Sequence, residues 1–161
     1  MRSTWRLVSL AFQTGLSKRE NKMFWLILVL AVVGLLGFIR FAPSDVARWH
    51  KPIGDAENVD GEGWSARVVA GSSGLLSDLH QGMLALPRTD LLAGSVTDGR
   101  LTYVTRSKII GFPDYTTIEQ DGDAIKLYAR LRFGRKDFGV NGKRLDGLVK
   151  RTRAKRGEGE L

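Results

Sequence analysis

The chain has 161 residues, enough for one domain with accessory segments and short of two full domains. It holds no cysteine, which excludes structural disulfides, thiolate metal sites and cysteine nucleophiles. The formal charge of +8 is a regional sum: basic before Met23 and after Ile125, acidic on balance from Ala42 to Ile125. It therefore does not describe one nucleic-acid-binding surface, and no nucleic-acid partner is expected.

Residues 1–22 carry Arg2, Arg6, Lys18, Arg19 and Lys22 against Glu20. They read as a basic cytoplasmic segment, with Met23 an alternative start. The run "MFWLILVLAVVGLLGFI", Met23 to Ile39, is uncharged over 17 residues. At about 1.5 Å per residue it covers most of a hydrocarbon core about 30 Å thick. No polar stripe interrupts it, so a transmembrane anchor over 23–40 is predicted rather than a buried helix. Phe24 and Trp25 suit one interface and Arg40 can snorkel at the other. "RFAPSDVARW" has no clean cleavage pattern of small residues, which favours a retained anchor over a removed signal. The excess of basic residues before the span places the C-terminal domain outside the cytoplasm.

Residues 41–63 are rich in Pro, Gly and acidic side chains and read as an extended linker, with the folded domain starting near Trp64. In "SSGLLSDLHQGMLALP" the residues Leu75, Leu76, Leu79, Met83 and Leu86 recur at helical spacing. Ser72 or Ser73 can cap this helix and Pro87 ends it. His80 lies off the stripe and reads as exposed. Four strands follow, about Leu91–Val96, Arg100–Ile109, Tyr115–Gln120 and Ala124–Phe133. Asp98-Gly99 and Asp121-Gly122 are hairpin signals between them, and "GFPD" is a break. A closing helix is expected from about Asn141 to Arg153, then a charged tail over 154–161. The fold class is thus α+β: a four-stranded antiparallel meander over 64–153 with helices on one face.

In the last strand Ile125, Leu127, Ala129 and Leu131 alternate with Lys126, Tyr128, Arg130 and Arg132. The first set is expected under the helices and the second on an open face. Arg130 and Arg132, with Tyr128 beside them and Arg106 on a neighbouring strand, form a candidate anion-binding surface. Its plainer alternative is a solvated face with cross-strand pairs to Glu119 or Asp121. "KDFGVN" is a second candidate: Asp137 and Asn141 sit at a helix start, Gly139 permits a positive φ, and Arg144 follows. Caps alone account for those residues; free helix N–H groups beside Arg144 would equally hold an anion. No nucleophile elbow, phosphate loop or metal-binding helix is present, and His50 and His80 lack the further ligands of a metal centre, so no cofactor or metal is expected.

The stretches "APSDVARWH", "LAGSVTDGRLTYVTRSKIIGFPDYTTI" and "LYARLRFGRKDFGVNGKRLDGL" resemble the domain-of-unknown-function family numbered 1499. The family pattern is similar to "SRSRFGYSDLGVNRKR". Arg130, Phe133, Gly134, Asp137, Gly139, Val140, Asn141 and Arg144 match it, while Ala129, Leu131, Arg135, Lys136, Phe138 and Gly142 depart. The two lost serines and the lost tyrosine argue against a role built on hydroxyls in this member. The resemblance covers about Ala42 to Val149 and implies a membrane-anchored bacterial protein with no assigned reaction. The expected function is a binding or assembly module for a protein partner, an anionic lipid or a metabolite, held in the bacterial inner membrane with its domain in the periplasm. The alternatives are an enzyme working through Asp114 or Asp137, or a purely structural envelope protein.

Overall fold

In the computed structural model, which describes residues 4–157 and their side chains from Lys18 onward, the apolar run lies within one long helix, α1 (Thr4–Phe41). No proline occurs before Pro43, and that residue cannot continue a helix, so the run ends there. Lys18–Phe41 contains an 18-residue window with a mean hydropathy of 2.5 and is long and apolar enough to cross a membrane. The chain divides into two units, Met1–Phe41 and Ala42–Leu161.

The second unit is α+β, with a six-stranded antiparallel sheet in place of the four strands expected. A short helix α2 (Val46–Trp49), capped by Asp45 through its carboxylate to the Ala47 N–H, opens it. Then come β1 (Val59–Asp60), β2 (Trp64–Ala70), α3 (Ser73–Leu84), β3 (Thr89–Ser95), β4 (Arg100–Arg106), β5 (Pro113–Asp121), β6 (Ala124–Leu131) and α4 (Val140–Lys155). The sheet order is β1-β2-β6-β5-β4-β3. The meander β3 to β6 is the expected one, turning at Gly99 and Gly122, both at positive φ. The additions are β1 and β2. In "WSARVVA" the helix-facing Arg67 breaks the apolar alternation, because it pairs with Asp60 and with Asp146 of α4. Moreover, β2 pairs with β6, from the far end of the chain, so no hairpin signal marks it.

α3 and α4 lie on one sheet face, over a core of Leu75, Leu76, Leu79 and Met83 from α3, Leu145 and Leu148 from α4, and Leu101, Tyr103, Ile118, Ile125, Leu127 and Ala129 from the strands. The alternation along β6 therefore points as expected. Each large aliphatic side chain removed from water here contributes about 1.5–3 kcal/mol. α4 continues past Arg153 to Lys155, so the expected tail begins inside the helix; residues 158–161 lie outside the described residues.

The opposite sheet face is not open. The segment from Ala42 to about Asn58, expected as an extended linker, belongs to the same unit and crosses that face. Trp49 is buried against Val104 and Tyr115. The His50 ring bonds Thr102 Oγ1 at 2.9 Å, the Ile53 N–H donates to Glu119 at 2.7 Å, and Lys126 donates to the Gly54 carbonyl at 2.6 Å. High Pro, Gly and Asp content reads as a linker. A single indole and these polar contacts suffice to bind it down.

Candidate functional site

The sheet-face arginines are spent inside the domain. Arg130 donates to the Trp49 carbonyl at 2.7 Å, and its guanidinium carbon stands 5.1 Å from the Trp49 ring centre and 5.3 Å from that of Tyr128. Burial pulls its pKa below the ordinary value. Arg132 donates to the Pro43 carbonyl at 2.8 Å and to the Tyr115 hydroxyl at 3.1 Å. Both arginines face the same side, as expected, yet each binds the crossing segment. Tyr128 packs obliquely on Trp64, ring centres 5.7 Å apart. Arg106 is not brought to them: β5 lies between β4 and β6, and Arg106 donates to the Gly111 carbonyl. The carboxylates named as cross-strand partners take other cations, Glu119 with Arg100 and Asp121 with Lys126.

The turn before α4 is brought together as a unit. The two carboxylate oxygens of Asp137 accept from the Gly139 and Asn141 N–H groups, both at 2.9 Å. The Asn141 side-chain oxygen accepts from Arg144 at 2.8 Å, and Arg144 reaches Asp114 of β5 at 3.3 Å. Asp137 is thus the capping side chain; Asn141 sits one position inside the helix and is fully buried. Burial raises the Asp114 pKa, partly offset by the Arg144 charge and reinforced by the Asp137 carboxylate. The arrangement ties the helix start to the sheet through one arginine. The helix N–H groups expected for an anion are occupied by Asp137.

His80 also differs from its expected exposure. It is half-buried and bonds the Tyr103 hydroxyl at 2.8 Å, while burial raises the Tyr103 pKa well above its usual value.

A groove of about 540 Å³ runs between α3 and α4. Leu86, Ala85 and Leu148 give it an apolar floor, and Arg151, Lys155 and Arg156 give it cations. Arg151 and Lys155 lie four apart on one α4 face, both exposed, and Arg156 pairs with Asp78 of α3. The helices approach closely at Gly82, where an added Cβ would stand 2.7 Å from Leu148 Cδ1. A second groove, about 220 Å³, lies between the crossing segment and β2, lined by Ile53, Ala56, Val59, Trp64 and Tyr128 among others. Neither groove is lined by Asp114 or Asp137. A helix ending at Arg153 leaves Lys155 and Arg156 off the face that lines the basic groove. Carried to Lys155, the spacing of Leu148, Arg151 and Lys155 shows a single mixed face.

No curated protein matches the chain. Among solved structures, a DUF4468 family protein from Bacteroides ovatus aligns with 55% of this chain and 63% of its own, at 11% identity and a TM-score of 0.31. The chain spans less than two thirds of that protein's length. The sequence profile "Protein of unknown function (DUF1499)" matches residues 67–151, which hold α3, β3 to β6, the Asp137 turn and α4 as far as Arg151. With more than half of its length matched, the chain belongs to the DUF1499 family.

Proposed function

We propose that the chain is a single-pass protein of a bacterial inner membrane whose periplasmic domain binds a soluble anionic ligand in the groove between α3 and α4. The groove carries this reading: its volume falls within the roughly 300–1,000 Å³ of small-molecule sites, and it sets Arg151 and Lys155, beside an Arg156 already paired with Asp78, above an apolar floor. That combination suits an amphiphile with a phosphate or carboxylate head and a short apolar tail. The exposed helix Lys18–Phe41 supports the anchor by its length and hydropathy. A periplasmic domain follows from the basic residues ahead of it.

The test is calorimetric titration of the full chain in zwitterionic nanodiscs with hexyl phosphate, and with hexanol as the neutral control. Hexyl phosphate is expected to bind and hexanol not. Arg151→Gln with Lys155→Gln should weaken binding by at least about tenfold, as loss of charge-assisted contacts implies. Both residues are exposed, so the thermal midpoint should hold. Equal affinity in the variant sinks the assignment, and a C-terminal reporter fusion active in the cytoplasm sinks the topology.

A further inference from the structure

One end of the sheet carries a different surface. Two loops form it, 107–112 between β4 and β5 and 132–139 between β6 and α4. Phe112 and Phe133 join them, ring centres 6.1 Å apart. The loops and the first residue of α4 present large apolar side chains to solvent: Ile109 is 90% exposed, Phe138 87% and Val140 51%. Isolated exposed hydrophobics are ordinary, but a cluster on two loop tips marks a contact surface.

The exposure is built in. Ser107 Oγ accepts from the Gly111 and Phe112 N–H groups at 3.1 and 2.9 Å, and the Ser107 N–H donates to the Phe112 carbonyl. That closed loop leaves Ile109 at its tip. Phe138 holds a φ of 53°, a region bulky residues avoid, and the Asp137 cap keeps it there. A strained aromatic with almost no intramolecular packing has its use elsewhere. Cations fringe the cluster: Lys108, Arg135 and Lys136 are all exposed, and the last two share the single carboxylate Glu62 at 3.1 and 3.8 Å.

Chain connectivity selects the occupant. Arg132, at the root of the second loop, holds the carbonyls of Ala42 and Pro43 at 3.4 and 2.8 Å. Ala42 directly follows Phe41, the last residue of the apolar helix. If that helix spans a bilayer, this end of the domain is tethered within one residue of it. Apolar tips ringed by Lys and Arg beside such a tether match the chemistry of an anionic lipid surface. We infer that Ile109 and Phe138 insert into the headgroup layer of an anionic bilayer, seating this end of the domain on the membrane. This rests on the anchor of the proposed function and not on its ligand.

The chain's lack of cysteine makes single labels unique. Nitroxides at Ile110→Cys and Val140→Cys leave both tips intact, with Asp98→Cys on the β3–β4 turn as aqueous control and Leu30→Cys inside the apolar helix. Collision with oxygen and with a water-soluble nickel chelate is read for the full chain in nanodiscs with and without anionic lipid. Labels 110 and 140 should prefer oxygen in anionic discs, and label 98 should prefer nickel. Ile109→Ser with Phe138→Ser, or Lys108→Glu with Lys136→Glu, should return both to nickel preference. If label 30 lies in the bilayer while 110 and 140 stay aqueous, the seating is wrong and the anchor stands. If label 30 is aqueous, both fall. Protection of 110 and 140 that is equal in discs lacking anionic lipid and grows with protein density assigns the tips to a second copy and overturns the inference.

Discussion

The indole of Trp49 lies flat on the phenol of Tyr115, ring centres 3.8 Å apart and planes 11° from parallel. Tyr115 is fully buried and its hydroxyl meets Ser44 at 2.7 Å as well as Arg132, so one aromatic pair clamps the crossing segment at two points. Trp49→Ala should cost about 3–5 kcal/mol, the range for removing a buried large aromatic. Trp49→Phe keeps a stack and should cost much less. Denaturant unfolding of the full chain checks both. The alanine variant should also be cleaved by protease between residues 50 and 58 under native conditions. A loss under about 1 kcal/mol would mean the segment is not held by this ring.

Gly94 sits in β3 just after the register shift between Leu91 and Ala93, at a φ of 87°. An added Cβ would stand 2.0 Å from the Arg100 carbonyl oxygen and 2.8 Å from the His50 ring. Neither backbone nor a hydrogen-bonded histidine gives way easily. Gly94→Ala should therefore lose about 3 kcal/mol or more, combining left-handed strain with overpacking. Gly99→Ala, at a φ of 70° with open space around it, should lose only about 1 kcal/mol. Equal thermal shifts for the two would remove the clash as the cause.

What the sequence shows of this fold follows how local the signals are. The β3–β6 meander announces itself because Asp98-Gly99 and Asp121-Gly122 turn adjacent strands, and the α3 stripe because Leu75, Leu79 and Met83 repeat along one helix. β2 is silent, since its partner β6 lies about sixty residues on and Arg67 occupies a helix-facing position through ion pairs invisible in sequence order. The site residues divide the same way. Asp137 reads as a cap because a cap is local. Arg130 and Arg132 read as free anion ligands because the carbonyls that take them, at Trp49 and Pro43, lie some eighty to ninety residues earlier in a stretch composed like a linker.

Asp137 accepts two backbone N–H bonds, one from Gly139 and one from Asn141, and is itself nearly buried. Asp137→Ala frees both donors at a helix start and should cost about 1–2 kcal/mol, at the upper end for a cap. Asp137→Asn retains one acceptor and should recover roughly half of that. Because the same cap holds Phe138 at positive φ, the alanine variant should also quench the difference between anionic and zwitterionic discs seen by a label at 140. Urea unfolding separates the two effects: stability lost with the disc response intact would divorce the cap from the loop.

Asp114 supplies the pH test. Burial raises its pKa in the folded chain above the 3.8 of the free carboxyl, although Arg144 pulls in the opposite direction. The folded state therefore binds this proton more tightly than the unfolded state. The contribution is fully present below pH 3.8 and is lost as the pH rises through the folded value, so Asp114 favours folding in acid. Asp60 has the reverse sign, its pKa lowered by the hydrogen bond from Arg67, and its contribution is lost as the pH falls. Subtracting the unfolding free energy of Asp114→Asn from that of the parent isolates the first effect, since Asp60 is common to both. The difference should favour the parent most at the acid end and decline as the pH rises past 4. A difference that instead grows with pH would mean that the Arg144 charge outweighs burial and that Asp114 is an ordinary stabilising ion-pair carboxylate.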